Sequence, residues 1–200
     1  MERITLRSAL NFLGHLYLSG ADPLVTVGNF MADAVKGRDL SRFHPSIERG
    51  IRLHRAIDSF TDSHPVQQRG RVRAHAFAGR YASVAMDLFY DHLLASNWVE
   101  FNDEQLPDFA QRMYALLTKH THLMPERTKH MLPYMVQNDW LSSYATLSGI
   151  GRALEGLSRR VPLGGPMRGS EVVLEQHMGT YLNEFRMFLP EIEAHVAHLK

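Results

Sequence analysis

Apolar residues recur along most of the 200-residue chain at intervals of three and four, the spacing that gathers them on one side of an α-helix. No sustained alternation of apolar and polar positions, bounded by turn residues, argues for a strand, so the pattern predicts an all-α fold. Asp22-Pro23 reads as an N-cap followed by proline at the first helical position, opening a helix that runs to about Lys36 and stops at Gly37. Pro45 opens the next, which continues to Thr61 or Asp62, because His64-Pro65 follows and the residue before a proline is pushed out of the α region. Further helices are expected near 8–18, 66–78, 82–98, 103–120, 126–137, 142–160 and 171–198. Three glycines and two prolines between Val161 and Gly169 make that stretch a loop, suited either to a mobile flap or to an ordinary connector. No repeat or linker interrupts the pattern, and a chain of this length with 44% hydrophobic residues can bury one substantial core. Residues 1–200 are therefore expected to form a single compact helical bundle.

Several acids fall on the stripe that should face inward. His54, Asp58 and Asp62 are spaced i, i+4, i+8, and at about 100° per residue the first two share a helix face with Ile47 and Ile51. Asp62 lies a turn further on and reads as a helix-end or loop residue. Asp87 and Asp91, again i, i+4, project with Val84, Leu94 and Trp98. Like charges at that spacing repel, and an unpaired buried carboxylate is costly, so cations must meet these groups: a metal ion or arginines. Asn29 and Asp33 form a third such pair, with Lys36 close by, and are placed to close the site. His15, alone in an apolar helix, reads as a hydrogen-bonded core histidine, and His92, turned about 100° from Asp91, as a residue that orients a neighbour.

Composition narrows the chemistry. The chain has no cysteine, which removes disulfides, thiolate zinc sites and cysteine nucleophiles together and leaves oxygen and imidazole as metal ligands. Such a set suits Mn²⁺ or Mg²⁺, and also Fe²⁺. A divalent ion there neutralises charge on a phosphoryl group and lowers the pKa of a coordinated water, which points to hydrolysis. Di-iron oxidase bundles instead carry Glu-x-x-His pairs, which this pattern does not arrange. No apolar run approaches the ~20 residues of a membrane span and the amino end is a poor signal peptide, so a cytoplasmic protein is expected. The net charge of +1 hides a crowd of arginines at 49, 52, 55, 69, 71, 73 and 80, which favours either an anionic partner or a solvated face.

The stretches NFLGHLYLS, GNFMADAVKG, GIRLHRAIDSFTDSHP and DLFYDHLLASNW, in that order, together with LEQHMGTYLNEFRMFLPEIEAH near the end, resemble the acyl carrier protein phosphodiesterases. The likeness runs from about Asn11 into the last helix, with residues 1–10 as an extension. Gly14 and Tyr17 around His15, and the 161–169 loop, depart from the family pattern. The resemblance implies a helical fold distantly related to the His-Asp phosphohydrolases and a Mn²⁺-dependent release of 4′-phosphopantetheine from holo-acyl carrier protein. It maps the family's catalytic aspartate onto Asp33, its central His-Asp segment onto His54 and Asp58, and its Asp-rich helix onto Asp87 and Asp91. The expected catalytic residues are thus Asp33, His54 and Asp58, and the expected metal ligands Asp33, His54, Asp58, Asp87 and Asp91. Carrier proteins are acidic and helical, so Arg69, Arg71 and Arg73 are the expected docking residues, with no nucleic acid or membrane partner. Two other readings remain open: a metal-dependent phosphohydrolase of nucleotides or other small phosphodiesters, and a non-catalytic helical binding protein for an acidic partner, whose inward aspartates pair with arginines.

Overall fold

The computed structural model describes residues 12–200; the expected extension over 1–10 and the start of the 8–18 helix lie outside them. Asp22 caps helix α2 (Pro23–Met31) by accepting hydrogen bonds from the Leu24 and Val25 amides at 2.9 and 3.4 Å. Helix α1 (Phe12–Tyr17) precedes it and α3 (Pro45–Ser63) follows. His64 ends α3 and caps α4 (Pro65–Ala78), its Nδ1 accepting from the Val66 amide. Next come α5 (Ala82–Ser96), α6 (Leu106–Lys119), α7 (Glu126–Gln137), α8 (Trp140–Ser143), α9 (Leu147–Ser158), α10 (Glu171–Gln176) and α11 (Met178–Val196). All regular structure among the described residues is helical, arranged around one hydrophobic core.

Helix α5 is the axle of that core. Every one of its residues except Ser83 and Ser96 is buried, so it has no solvent face, and any acid on it is enclosed. Helix α11 packs against it through Phe185 and Phe188, whose rings lie 5.2 and 5.0 Å from that of Tyr90. Helices α2 and α3 cross at glycines. A Cβ on Gly28 would stand 2.2 Å from the Ile47 carbonyl oxygen, and one on Gly50 2.1 Å from that of Val25, so only glycine permits this approach.

Three expected boundaries shift. The second helix stops as α at Met31 and ends in a single 3₁₀ turn, Ala32–Ala34, so Asp33 sits on a helix end rather than in a helix interior, and Lys36 is exposed beyond it. The stretch 142–160 is two helices, because Asp139 turns left-handed at φ 40° to cap α8 and Thr146 caps α9 through the Gly149 amide. His177 divides 171–198 into α10 and α11. The 161–169 stretch is a packed connector: Met167 is fully buried within a 3₁₀ turn, and the Pro162 carbonyl accepts from Arg80 at 2.8 Å and from the Tyr81 hydroxyl. No described helix is long and apolar enough to cross a membrane.

Candidate metal centre

The close crossing of α2 and α3 brings their polar side chains to one point with His15 of α1. Asn29, fully buried on α2, donates its amide Nδ2 to the His15 carbonyl at 2.8 Å and to Ser19 Oγ at 3.0 Å. Those two acceptors fix the amide's orientation, so Oδ1 is the atom that faces the imidazoles. His15 Nδ1 lies 2.9 Å from that oxygen and His54 Nδ1 3.2 Å. An amide oxygen only accepts, so both Nδ1 atoms carry hydrogen, and both Nε2 atoms turn the other way. The two rings stack at 4.0 Å and 15°.

What the Nε2 atoms meet is acid. His15 Nε2 lies 3.3 Å from Asp58 Oδ1, while His54 Nε2 lies 3.3 Å from Asp58 Oδ2 and 3.2 Å from Asp33 Oδ1. The i, i+4 spacing on α3 places His54 beside Asp58, and the 3₁₀ turn after α2 swings Asp33 over the same nitrogen. Neutral rings in this tautomer would aim lone pairs at carboxylate oxygens. Protonating both would put two stacked cations 4.0 Å apart. One proton is the compromise: against the opposing effect of burial, Asp33 and Asp58 hold the His54 pKa up at about 10, whereas burial and then the His54 charge push that of His15 down. Burial works to raise the Asp58 pKa, but the two histidines outweigh it and draw it well below the usual carboxylate range. His15 Nε2 remains buried with no aligned hydrogen bond.

A divalent cation bound between the two Nε2 atoms and the carboxylates would remove these conflicts. The ligand atoms of His15, His54 and Asp58 all lie within 4.8 Å of one another, a spacing that suits one shared ion. Asp33, with 31% of its side chain exposed, stands at the solvent edge of this group. Asp87, on the axle helix, lies within electrostatic range of this group: it is buried, and its pKa is pushed far up by burial and then by the charges of Asp58, Asp62, Asp91 and Asp33. No arginine among the described residues pairs with Asp33, Asp58, Asp87 or Asp91, so the cation these acids call for is not a guanidinium.

The other sequence candidates occupy different positions. Asp91 is fully buried and accepts from the Leu13 and Gly14 amides at 3.1 and 2.9 Å, anchoring α5 to the start of α1; burial raises its pKa to about 8 against those two donors. His92 bonds the Tyr144 carbonyl at 2.8 Å and faces away from the cluster. Asp62 accepts from Arg71 at 3.1 Å, on the surface. Arg69 and Arg73 both pair with Glu184 on α11, the former at 3.3 Å, so the three arginines expected to dock a partner are engaged within the chain. His15 is the residue sequence reasoning set aside: its partner Asn29 is 14 positions along on another helix, which no single-helix projection displays.

The profile of the family described as acyl carrier protein phosphodiesterase matches residues 10–192, which takes in all four helices that build this cluster. This chain belongs to that family. Acyl carrier protein phosphodiesterase of Yersinia enterocolitica is 33% identical over 182 residues, covering 90% of this chain and 94% of that protein. The Photorhabdus laumondii protein of the same name is 32% identical over 185 residues, with 90% and 92% covered. That of Escherichia coli is 28% identical over 194 residues, with 94% and 98% covered. No solved structure matches the chain. Membership makes the protein an enzyme, and His15, His54 and Asp58 are the one group of His, Asp and Glu side chains among its described residues close enough together to hold a metal ion.

Proposed function

We propose that this phosphodiesterase hydrolyses the bond between 4′-phosphopantetheine and the serine of holo-acyl carrier protein, releasing the arm and leaving apo-carrier, with Mn²⁺ as its cofactor. The observation that carries the reading is the pair of imidazole Nε2 atoms, turned by a single amide oxygen onto carboxylates they can neither bond as neutral rings nor both bond as cations. His15, His54 and Asp58 would hold the ion, with Asp33 and Asp87 as the nearest further carboxylates. Imidazole nitrogens mixed with oxygens favour Mn²⁺ or Fe²⁺ over Mg²⁺, which prefers oxygen alone. A bound divalent ion supplies charge neutralisation on the phosphoryl oxygens and an acidified water.

The chain's own residues do the rest. Asn29 fixes both imidazole tautomers and their angles, so the site is arranged before substrate arrives. Asp33, the most exposed acid of the group, stands where an incoming phosphodiester meets the site and is the residue placed to take a proton from the attacking water. The buried walls around Asp87 exclude bulk water behind it and keep the electrostatic contrast strong. The same reading sets the enzyme in the cytoplasm with its carrier substrate.

The test is a mass measurement: holo-carrier incubated with the protein and Mn²⁺ should lose the mass of its arm, and chelation with EDTA should stop the loss. Unchanged carrier under both conditions, with a small phosphodiester still cleaved, would transfer the activity to another substrate.

A further inference from the structure

A cavity of about 340 Å³ opens between α7, α8, α9 and α5, and none of His15, His54, Asp58, Asp33 or Asp87 lines it. Its size falls within that of small-molecule sites, roughly 300–1,000 Å³. Leu88, Tyr144 and Leu157 are buried and form its floor, and Trp140 is half-buried at its side. Arg152 and Arg160 line it from exposed positions, and neither forms an ion pair or side-chain hydrogen bond among the described residues. Their neighbour Arg159 is paired with Glu155 at 2.6 Å, so of these three arginines only the two at the cavity's rim are without an ion pair among the described residues.

Gly156 forms part of the cavity's wall. It lies inside α9, where glycine costs stability relative to alanine, and it has no positive φ to justify it. Nothing in the fold stands within 4 Å of where its Cβ would be, unlike Gly149 on the same helix, whose Cβ would collide with the Ser143 carbonyl oxygen at 1.9 Å. No close packing therefore demands Gly156; what its missing side chain leaves is open space in the cavity wall.

We infer that this cavity is a binding site for an anionic amphiphile, a short apolar chain lying on Leu88, Leu157 and Trp140 with a carboxylate or phosphate head between Arg152 and Arg160. The apolar floor supplies burial, and the two rim guanidiniums favour an anionic head group. The inference is independent of which phosphodiester the His-Asp cluster cleaves.

The protein carries its own reporter. Of its two tryptophans, Trp98 is buried and bonded to the Glu104 carbonyl, while Trp140 lines the cavity. Titrating the full chain with decanoate, decyl phosphate and decanol should give a saturable change in Trp140 emission for the two anions, at least about tenfold tighter than for the neutral alcohol. The tighter of the two anions identifies the head group. Gly156→Leu should fill the cavity and weaken anion binding by about tenfold or more, with a melting temperature no lower than the parent's. Arg152→Ala with Arg160→Ala should bring the anions down to the affinity of decanol. The inference is overturned if neither anion gives a saturable signal, if decanol binds as tightly as the anions, or if folded Gly156→Leu binds like the parent.

Discussion

One side chain, Asn29, sets the geometry of two others. Its Nδ2 is committed to the His15 carbonyl and Ser19 Oγ, so its Oδ1 is left to receive both imidazoles. Replacing Asn29 by alanine should therefore free both rings without removing a ligand, and Mn²⁺ affinity, read by calorimetry, should fall by about 10–100-fold. Unchanged affinity would show that the rings are held by packing alone. A second expectation concerns the proton on His54. With a pKa of about 10 in the metal-free protein, that ring is charged at pH 8, and an ion that takes its Nε2 must expel the proton. Binding heats at pH 8 in two buffers of different ionisation enthalpy should differ by the equivalent of about one proton, and affinity should climb with pH until about 10. The raised pKa has the opposite effect on the metal-free fold. Its contribution to stability is complete below the unfolded histidine value of about 6.5 and is lost as pH rises through about 10. Thermal melts of metal-free protein across that range check the sign.

At the scale of the helices, the site depends on how closely α2 and α3 can approach. Gly28 and Gly50 are the two points where backbone meets backbone, and the cluster sits beside them, with Asn29 one residue from Gly28 and His54 one turn from Gly50. Gly50→Ala should wedge the helices apart, lowering stability by about 1–3 kcal/mol and weakening metal binding with it. A Gly50→Ala protein that melts like the parent would mean that the backbone yields elsewhere. Much of this arrangement was legible beforehand. The periodicity predicts α3 and α4 almost to the residue, and the i, i+4 step brings His54 to Asp58 at 3.3 Å. The burial of Asp87 and Asp91 was legible too, though its cause is larger than one inward face, since nearly all of α5 is enclosed. What the spacing concealed lay between helices. Asp33 reaches His54 from a 3₁₀ turn that apolar periodicity cannot tell from α, and His15 enters through Asn29, a contact made only when α1 and α2 fold together.

At the scale of the whole molecule, charge is redistributed by folding in a way that local sequence conceals. Arg69 and Arg73 lie next to Glu184 although more than 100 residues separate them in the chain, and Arg71 is held by Asp62. That arginine crowd is engaged within the chain, and exposed pairs of this kind add little stability. The positive charge left near the cluster is instead on Lys36, Arg38 and Arg42, all exposed, free of ion pairs among the described residues, and within ten residues of Asp33. Arg55, next to His54, donates to the Gly37 carbonyl at 2.8 Å and so pins this segment beside the site. If the substrate is an acidic carrier protein, this rim is what it approaches. Reversing Lys36, Arg38 and Arg42 to glutamate together should raise KM for holo-carrier by about tenfold or more and flatten its salt dependence, because the lost interaction is between screened surface charges. Turnover at saturating carrier, and cleavage of a small uncharged-leaving-group phosphodiester, should stay near the parent values, since none of the three touches the cluster. Reversing Arg69 and Arg71 instead should leave KM nearly unchanged and lower the melting temperature, because each new glutamate would set a like charge beside Glu184 or Asp62. The opposite outcome, with KM responding to Arg69 and Arg71 but not to the 36–42 rim, would place the docking face on α4 and its ion pairs as ones the carrier breaks on binding.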